Sequence, residues 1–182
     1  MEKIMKNKKI RFLVVSDSHG DREILEKLRA KYQGKVDGMF HCGDSELAPD
    51  DELFTDFQVV MGNCDYDPRF KELILTEYGS ERVLLTHGHL YGVNNGMERL
   101  GFLAASKQAT IVLFGHTHLL GAEYRKKCLF LNPGSISFPR GEYSSLGGTY
   151  AVLEVTPEAF KLQFYARTFK EIPELAFTFK RN

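Results

Sequence analysis

Val112-Leu113-Phe114-Gly115-His116-Thr117-His118 is an apolar run that ends in a glycine and two histidines one residue apart. The three apolar residues read as a buried strand bounded by a turn. Gly115 lets the backbone bend with no Cβ in the way. His116 and His118 then stand just past the carboxyl end of the strand, where open α/β sheets bind their ligands. Imidazole is the commonest neutral metal ligand, so a His-x-His pair at that place points to a metal.

The same event occurs four more times. Residues 10–16 (I-R-F-L-V-V-S) read as the first core strand, which ends in Asp17-Ser18-His19-Gly20. Residues 36–42 read as the second strand, ending in Gly43-Asp44, and residues 57–61 as the third, ending in Gly62-Asn63-Cys64-Asp65. Residues 72–77 and 82–86 flank a glycine turn as a hairpin, and its second strand ends in His87-Gly88-His89. Between the first two strands, Ile24, Leu25, Leu28 and Tyr32 make an apolar helical stripe, with Asp21 as N-cap and Gly34 as stop. Strand, polar loop and helix in that order are the βα unit of an α/β fold. A second helix is expected over residues 94–107, capped by Asn94 or Asn95. The segment 45–56 reads as loop with a short helix. The last third is β-rich: hairpins at 122–131 and 149–168, then a short edge strand at 176–179.

The strand ends together offer Asp17, His19, Asp44, Asn63, His87, His116 and His118: two carboxylates, one amide oxygen and four imidazoles. Seven ligands are too many for one tetrahedral zinc. They fit two five- or six-coordinate ions that share a carboxylate. A mixed N/O set without thiolate suits manganese, iron, zinc, nickel or cobalt. Two ions about 3.5–4 Å apart clamp the attacking and leaving oxygens of a phosphoryl group.

The motifs D-x-H, G-D, G-N-x-D, H-G-H and G-H-T-H, in this order, resemble those of the calcineurin-like metallophosphoesterase superfamily over residues 10–137. The short length, the G-N-C-D form and the N-P-G-S at residues 132–135 resemble most the small YfcE-type phosphodiesterases. The retromer scaffold subunit is the eukaryotic relative. This resemblance implies a single-domain four-layer α/β/β/α sandwich over residues 1–182. It assigns Asp17, His19, Asp44 and His118 to one divalent ion, and Asp44, Asn63, His87 and His116 to a second, with Asp44 bridging. Asn63, Asp44 and His87 count as the catalytic residues, and a metal-bound hydroxide would attack phosphorus in line. Manganese is the expected metal, with nickel, magnesium, zinc, iron or cobalt as alternatives. Relatives form homodimers or homotetramers, and the sequence leaves monomer, dimer and tetramer open.

One residue departs from the wider superfamily. Phosphatases there carry histidine after the motif asparagine, whereas this chain has Cys64. A thiol with an ordinary pKa of about 8.5 replaces a near-neutral proton donor poorly. That favours phosphodiesters over monoesters. Asp65 is expected to orient a ligand histidine, and His89 to contact phosphate, support the site or serve structure alone. His41 reads as a satisfied core histidine, and Arg140 as a solvated loop residue. The N-P-G-S turn is expected to pack behind the metals.

Composition narrows the remaining classes. Lys plus Arg and Asp plus Glu each number 24, so the net charge is zero and no nucleic-acid footprint shows. A short basic stretch at residues 6–11 reads as a solvated lead-in. Cys42, Cys64 and Cys128 make no even disulfide framework, which suits a reducing cytoplasmic setting. The first residues hold no signal-peptide h-region, and no apolar run approaches the roughly 18 residues of a membrane span. The favoured function is hydrolysis of a small phosphodiester, with no membrane partner. A phosphomonoesterase and a non-catalytic scaffold are the alternatives. The scaffold relative has lost part of the ligand set, and this chain keeps all seven positions.

Overall fold

A computed structural model describes residues 9–181; residues 6–8 of the basic stretch lie outside the described residues. In chain order the elements are β1 (Ile10–Val15), α1 (Arg22–Tyr32), β2 (Gly38–His41), β3 (Phe57–Val59), β4 (Leu73–Tyr78), β5 (Glu81–Thr86), α2 (Glu98–Ser106), β6 (Ile111–Leu113), β7 (Leu120–Arg125), β8 (Cys128–Pro133), β9 (Thr149–Val155), β10 (Ala159–Ala166) and β11 (Glu171–Lys180). They build two mixed sheets. One has the order β11-β10-β9-β1-β2-β3, the other β4-β5-β6-β8-β7. Each holds three parallel strands: β1, β2 and β3 in the first, β5, β6 and β8 in the second. The second sheet comes from one continuous stretch of chain, inserted between β3 and β9 of the first.

Three apolar clusters define four layers. Phe12, Val14, Phe40, Val83, Leu85, Leu113, Leu131, Leu153 and Phe164 fill the space between the sheets. Ile24, Leu25 and Leu28 of α1 pack with Leu13, Val15 and Met39 on the outer face of the first sheet. Leu100 and Ala104 of α2 pack with Leu84, Val112 and Phe130 on the outer face of the second. Both faces of the central strands are therefore covered, which is why they read as continuous apolar runs rather than alternating ones. This is the expected α/β/β/α sandwich.

Apart from a few residues at their ends, the elements agree with the expectations except at two places. The second helix begins at Glu98, with Met97 at its N-cap and no side-chain cap bond. Neither Asn94 nor Asn95 caps it: Gly96 at φ 136° keeps the backbone before Met97 out of the helix, and the Asn94 amide meets His116 (Nδ2 to Nε2, 2.9 Å). The tail forms a ten-residue strand rather than a four-residue one. Pro173 is no obstacle to it, since it lies in an edge strand where the register with β10 shifts between Glu171 and Ala176. The β7–β8 hairpin turns on Lys126 and Lys127, with φ of 48° and 62°. Glycine or asparagine is the usual choice for that pair of conformations.

The parallel strands of both sheets point the same polar loops toward one another. Hydrogen bonds tie the loops after β1 and β2 (Asp17 N–H to Gly43 O, 3.1 Å; His19 N–H to Asp44 O, 3.0 Å) and those after β5 and β6 (Gly115 N–H to His87 O, 3.0 Å). Glycines permit the close approach. A Cβ on Gly115 would lie 2.0 Å from Ser16 Oγ and 2.7 Å from Asp17 Oδ2. One on Gly62 would lie 2.0 Å from Asp44 Oδ1.

Candidate metal centre

Three loops share a backbone habit. Asp17 and His19, Asp44 and Glu46, and His116 and His118 all have positive φ, between 44° and 71°. Non-glycine residues rarely hold this conformation, and it concentrates at functional sites. In each loop the two left-handed residues are separated by one other. Their side chains thereby turn out of the strand direction toward a common point.

The side chains form a cluster of acceptors that lacks donors. His87 sets Nδ1 2.7 Å from the Cys42 carbonyl, and His118 sets its own Nδ1 2.6 Å from that of Phe138. Each carbonyl takes the Nδ1–H, so the neutral rings turn bare Nε2 lone pairs inward. His87 Nε2 then lies 3.1 Å from Asn63 Oδ1 and 3.3 Å from Asp44 Oδ2. His118 Nε2 lies 3.2 Å from Asp17 Oδ1 and 3.3 Å from His19 Nε2. Asp17 Oδ1 is buried without a hydrogen-bond partner, and His87 and His19 Nε2 stand 3.9 and 4.0 Å away. Its other oxygen accepts from Ser16 Oγ and from His116 N–H at 3.2 Å. A buried carboxylate oxygen among imidazole lone pairs is costly unless a cation completes it. The donor set therefore fits divalent metal.

The electrostatics carry the same signature. Burial pushes the Asp17 and Asp44 carboxyls up, but the facing imidazoles outweigh it, and both end below the usual carboxylate range. Burial likewise disfavours charged His87 and His118, yet the carboxylates opposite raise both. The centre thus favours positive charge beside its carboxylates, and a divalent ion would supply it.

Three groups place ligand atoms within 4.8 Å of one another: Asp17, His19 and His118; Asp17, Asp44 and His87; and His19, Asp44 and Cys64. Asp44 stands in two of them, as does Asp17. Asn63 reaches the second group through His87. His116 belongs to none; its ring centroid is 5.1 Å from that of His87, and its Nε2 faces Asn94. The floor of the site is buried (Asp17, Asp44, His87, His118), and Asn63 and Asn94 form an exposed rim.

The supporting residues divide differently from expectation. Asp65 touches no ligand histidine. Its carboxylate instead accepts from the N–H groups of Asp44 (2.8 Å), Gly62 (2.8 Å) and Glu46 (2.7 Å) and from Ser45 Oγ (3.2 Å). It braces the loops that carry Asp44 and Asn63, because a buried carboxylate needs several donors and the loop amides supply them. His41 is satisfied as expected: Gly43 N–H donates to Nδ1 at 3.2 Å, and Nε2 meets Ser18 Oγ at 2.9 Å. Burial pushes its pKa down to about 4. Burial and the Asp44 carboxylate push the Cys64 thiol up to about 11, so it is neutral at pH 7. His89 is half-buried with Nδ1 unpartnered, its ring 5.2 Å from that of His87. The N-P-G-S turn does pack behind the loops. Asn132 Nδ2 donates to Gly115 O (3.1 Å), and Ser135 Oγ donates to Asp17 O (2.8 Å). Arg140 is exposed, and its N–H donates to His118 O at 3.1 Å.

Two residues at the site escape a motif reading. Asn94 meets His116, and Glu46 sets Oε1 2.5 Å from His19 Nδ1. A signal for Glu46 existed: Asp44-x-Glu46 has the same spacing as Asp17-x-His19 and His116-x-His118.

Comparison with known proteins follows the same lines. A profile of the calcineurin-like phosphoesterase superfamily domain matches residues 10–158. The probable metallophosphoesterase YsnB of Bacillus subtilis is 37% identical over 163 residues, which cover 90% of this chain and 95% of that one. The phosphodiesterase YfcE of Escherichia coli K12 is 36% identical over 93 residues, 45% of each chain. A crystal structure of a predicted phosphoesterase from Streptococcus pneumoniae superposes with a TM-score of 0.92 at 43% identity, over 96% of this chain and 99% of that one.

Proposed function

This chain belongs to the calcineurin-like phosphoesterase superfamily, and we propose that it hydrolyses small or activated phosphodiesters with two divalent ions. Asp17, His19, Asp44 and His118 would hold one ion, and Asp44, Asn63, His87 and His116 the other. Manganese is the ion proposed. When bound, such ions acidify a water and offset charge on phosphoryl oxygens. The observation that carries the reading is Asp17 Oδ1, buried and unpartnered among three imidazole Nε2 atoms.

The chain's own groups do the positioning. Asp44 Oδ1 accepts from Cys64 N–H at 2.7 Å, which leaves Oδ2 to face His87. Asn63 presents an amide at the exposed rim, where a phosphoryl oxygen can approach. His89, its ring 5.2 Å from that of His87, is the second contact proposed for phosphate. Cys64, protonated at neutral pH, donates no proton to a leaving group that needs one near pH 7. An activated or diester leaving group depends less on that donor, and YfcE carries the name phosphodiesterase. A monoesterase fits Cys64 less well. The complete ligand set weighs against a scaffold. Free Cys42, Cys64 and Cys128 suit a reducing compartment, so we place the protein in the cytoplasm.

The test is an assay of metal-stripped protein against bis-p-nitrophenyl phosphate and p-nitrophenyl phosphate, with manganese added back. Manganese-dependent cleavage that favours the diester is the expected result. If two ions bind and neither ester is cleaved, the phosphodiesterase reading fails and a search for protein partners takes its place.

A further inference from the structure

Glu46 is an exposed residue in a left-handed backbone conformation, with φ of 54°. Such a conformation persists only where the surroundings enforce it. Asp65 Oδ1 holds the Glu46 N–H at 2.7 Å and so aims its side chain across to the neighbouring loop. There Oε1 meets His19 Nδ1 at 2.5 Å. On the other side of that ring, Nε2 lies 3.3 Å from His118 Nε2 and 4.0 Å from Asp17 Oδ1.

We propose that Glu46 is a positioning residue for the Asp17–His19–His118 corner of the metal centre: it takes the Nδ1–H of His19 and leaves the Nε2 lone pair for a divalent ion. The proposal rests on the metal-site reading above. His87 and His118 meet the same need with backbone carbonyls of Cys42 and Phe138. His19 is the ring among these three that uses a carboxylate, which also adds negative charge behind the ligand. A plain clip between the two loops does not explain Glu46. Backbone bonds already join them, Asp17 N–H to Gly43 O, His19 N–H to Asp44 O and Gly20 N–H to Ser45 O at 3.1, 3.0 and 2.9 Å.

Two readouts on Glu46→Ala test it. Calorimetric titration of the metal-stripped protein with manganese should show two sites in the wild type. In the variant one of them should weaken by about 10- to 100-fold while the other is kept. Histidine ¹⁵N spectra of the metal-free protein at pH 8 should show His19 protonated at Nδ1 in the wild type and shifted toward Nε2–H in the variant. Glu46→Gln, whose amide oxygen still accepts, should restore the tautomer and most of the affinity. Glu46→Asp, too short to reach the ring, should behave as the alanine and replaces it if that variant does not fold. An unchanged affinity or an unchanged tautomer in the variant overturns the proposal. A wild type that binds no ion defeats the metal-site reading itself, which is a separate result.

Discussion

Asp44 and Cys64 sit side by side and decide different things. Asp44 is shared between two ligand groups, so Asp44→Asn should abolish metal-dependent hydrolysis, by more than about 100-fold, and leave the fold largely intact. Near-wild-type turnover with full metal dependence would sink the site assignment. Cys64→His should raise monoester cleavage relative to diester cleavage by about tenfold or more, since it installs a donor that titrates near neutrality. An unchanged ratio removes Cys64 from specificity. His41 makes a prediction about stability instead. Below about pH 6.5 the unfolded chain binds a proton on this ring, and the folded chain refuses it until about 4. The His41 contribution to stability is therefore lost as pH falls through that window, by about 3 kcal/mol for the metal-free protein. His87 and His118, whose raised pKa values act in the opposite direction, offset it in part. Urea unfolding between pH 7 and 4 measures the loss, and a His41 proton signal that titrates near 6.5 in the folded state would contradict it. The seven ligand candidates were legible because short motifs carry them. Glu46 left only the faint signal of its Asp44-x-Glu46 spacing and Asn94 left none, because their roles arise only once the loops have turned.

The loops owe their shape to glycines placed where two chain segments almost touch. Gly115 lies so close to the side chains of Ser16 and Asp17 that Gly115→Ala must displace those side chains or push the β6 loop away from the β1 loop. The expected cost is about 1–3 kcal/mol of stability, seen in urea unfolding, together with weaker metal uptake. A variant with wild-type stability and metal affinity would show that the loops have room to spare. At this scale the sequence was a good guide wherever an element is closed by its own residues. The first helix runs as its Asp21 cap and Gly34 stop dictate. The second helix begins late because Gly96, at φ 136°, lies outside the helical region, and Asn94 meets His116, 22 residues away, instead of capping it. Strand β11 is longer than its own pattern suggests because β10 supplies a ladder for it.

On the scale of the whole molecule, the candidate centre is a seam. Asp17, His19, Asp44 and Asn63 follow strands of one sheet; His87, His116 and His118 follow strands of the other. An ion bound there holds the sheets together and binds the unfolded chain far less well. Manganese at 100 times its dissociation constant should therefore stabilise the protein by about 2.7 kcal/mol, and a chelator should reverse the gain. Melting curves with and without EDTA check this, and coincident curves would mean that the ions contribute nothing across the seam. The apolar runs made an α/β fold legible in the sequence, and the four layers followed only from the resemblance that the loop motifs carry. The pairing of β9 with β1 was not, because two apolar strands far apart in the chain carry no mark of adjacency.

That pairing has a consequence for the order in which the protein assembles. Ile10 is matched with Val155, so the first strand meets this neighbour only after most of the chain has been made. The second sheet, by contrast, closes within one continuous stretch from β4 to β8. Local contacts form faster than distant ones. Pulse-labelled hydrogen exchange during refolding should show the amides of β5, β6 and β8 protected before those of β1 and β9. The opposite order would mean that the distant pairing nucleates the fold. If the expected order holds, the three histidines of the second sheet wait on a finished half while the aspartates arrive last. Hydrolytic competence is then a late checkpoint, reached only by a chain whose two ends have met.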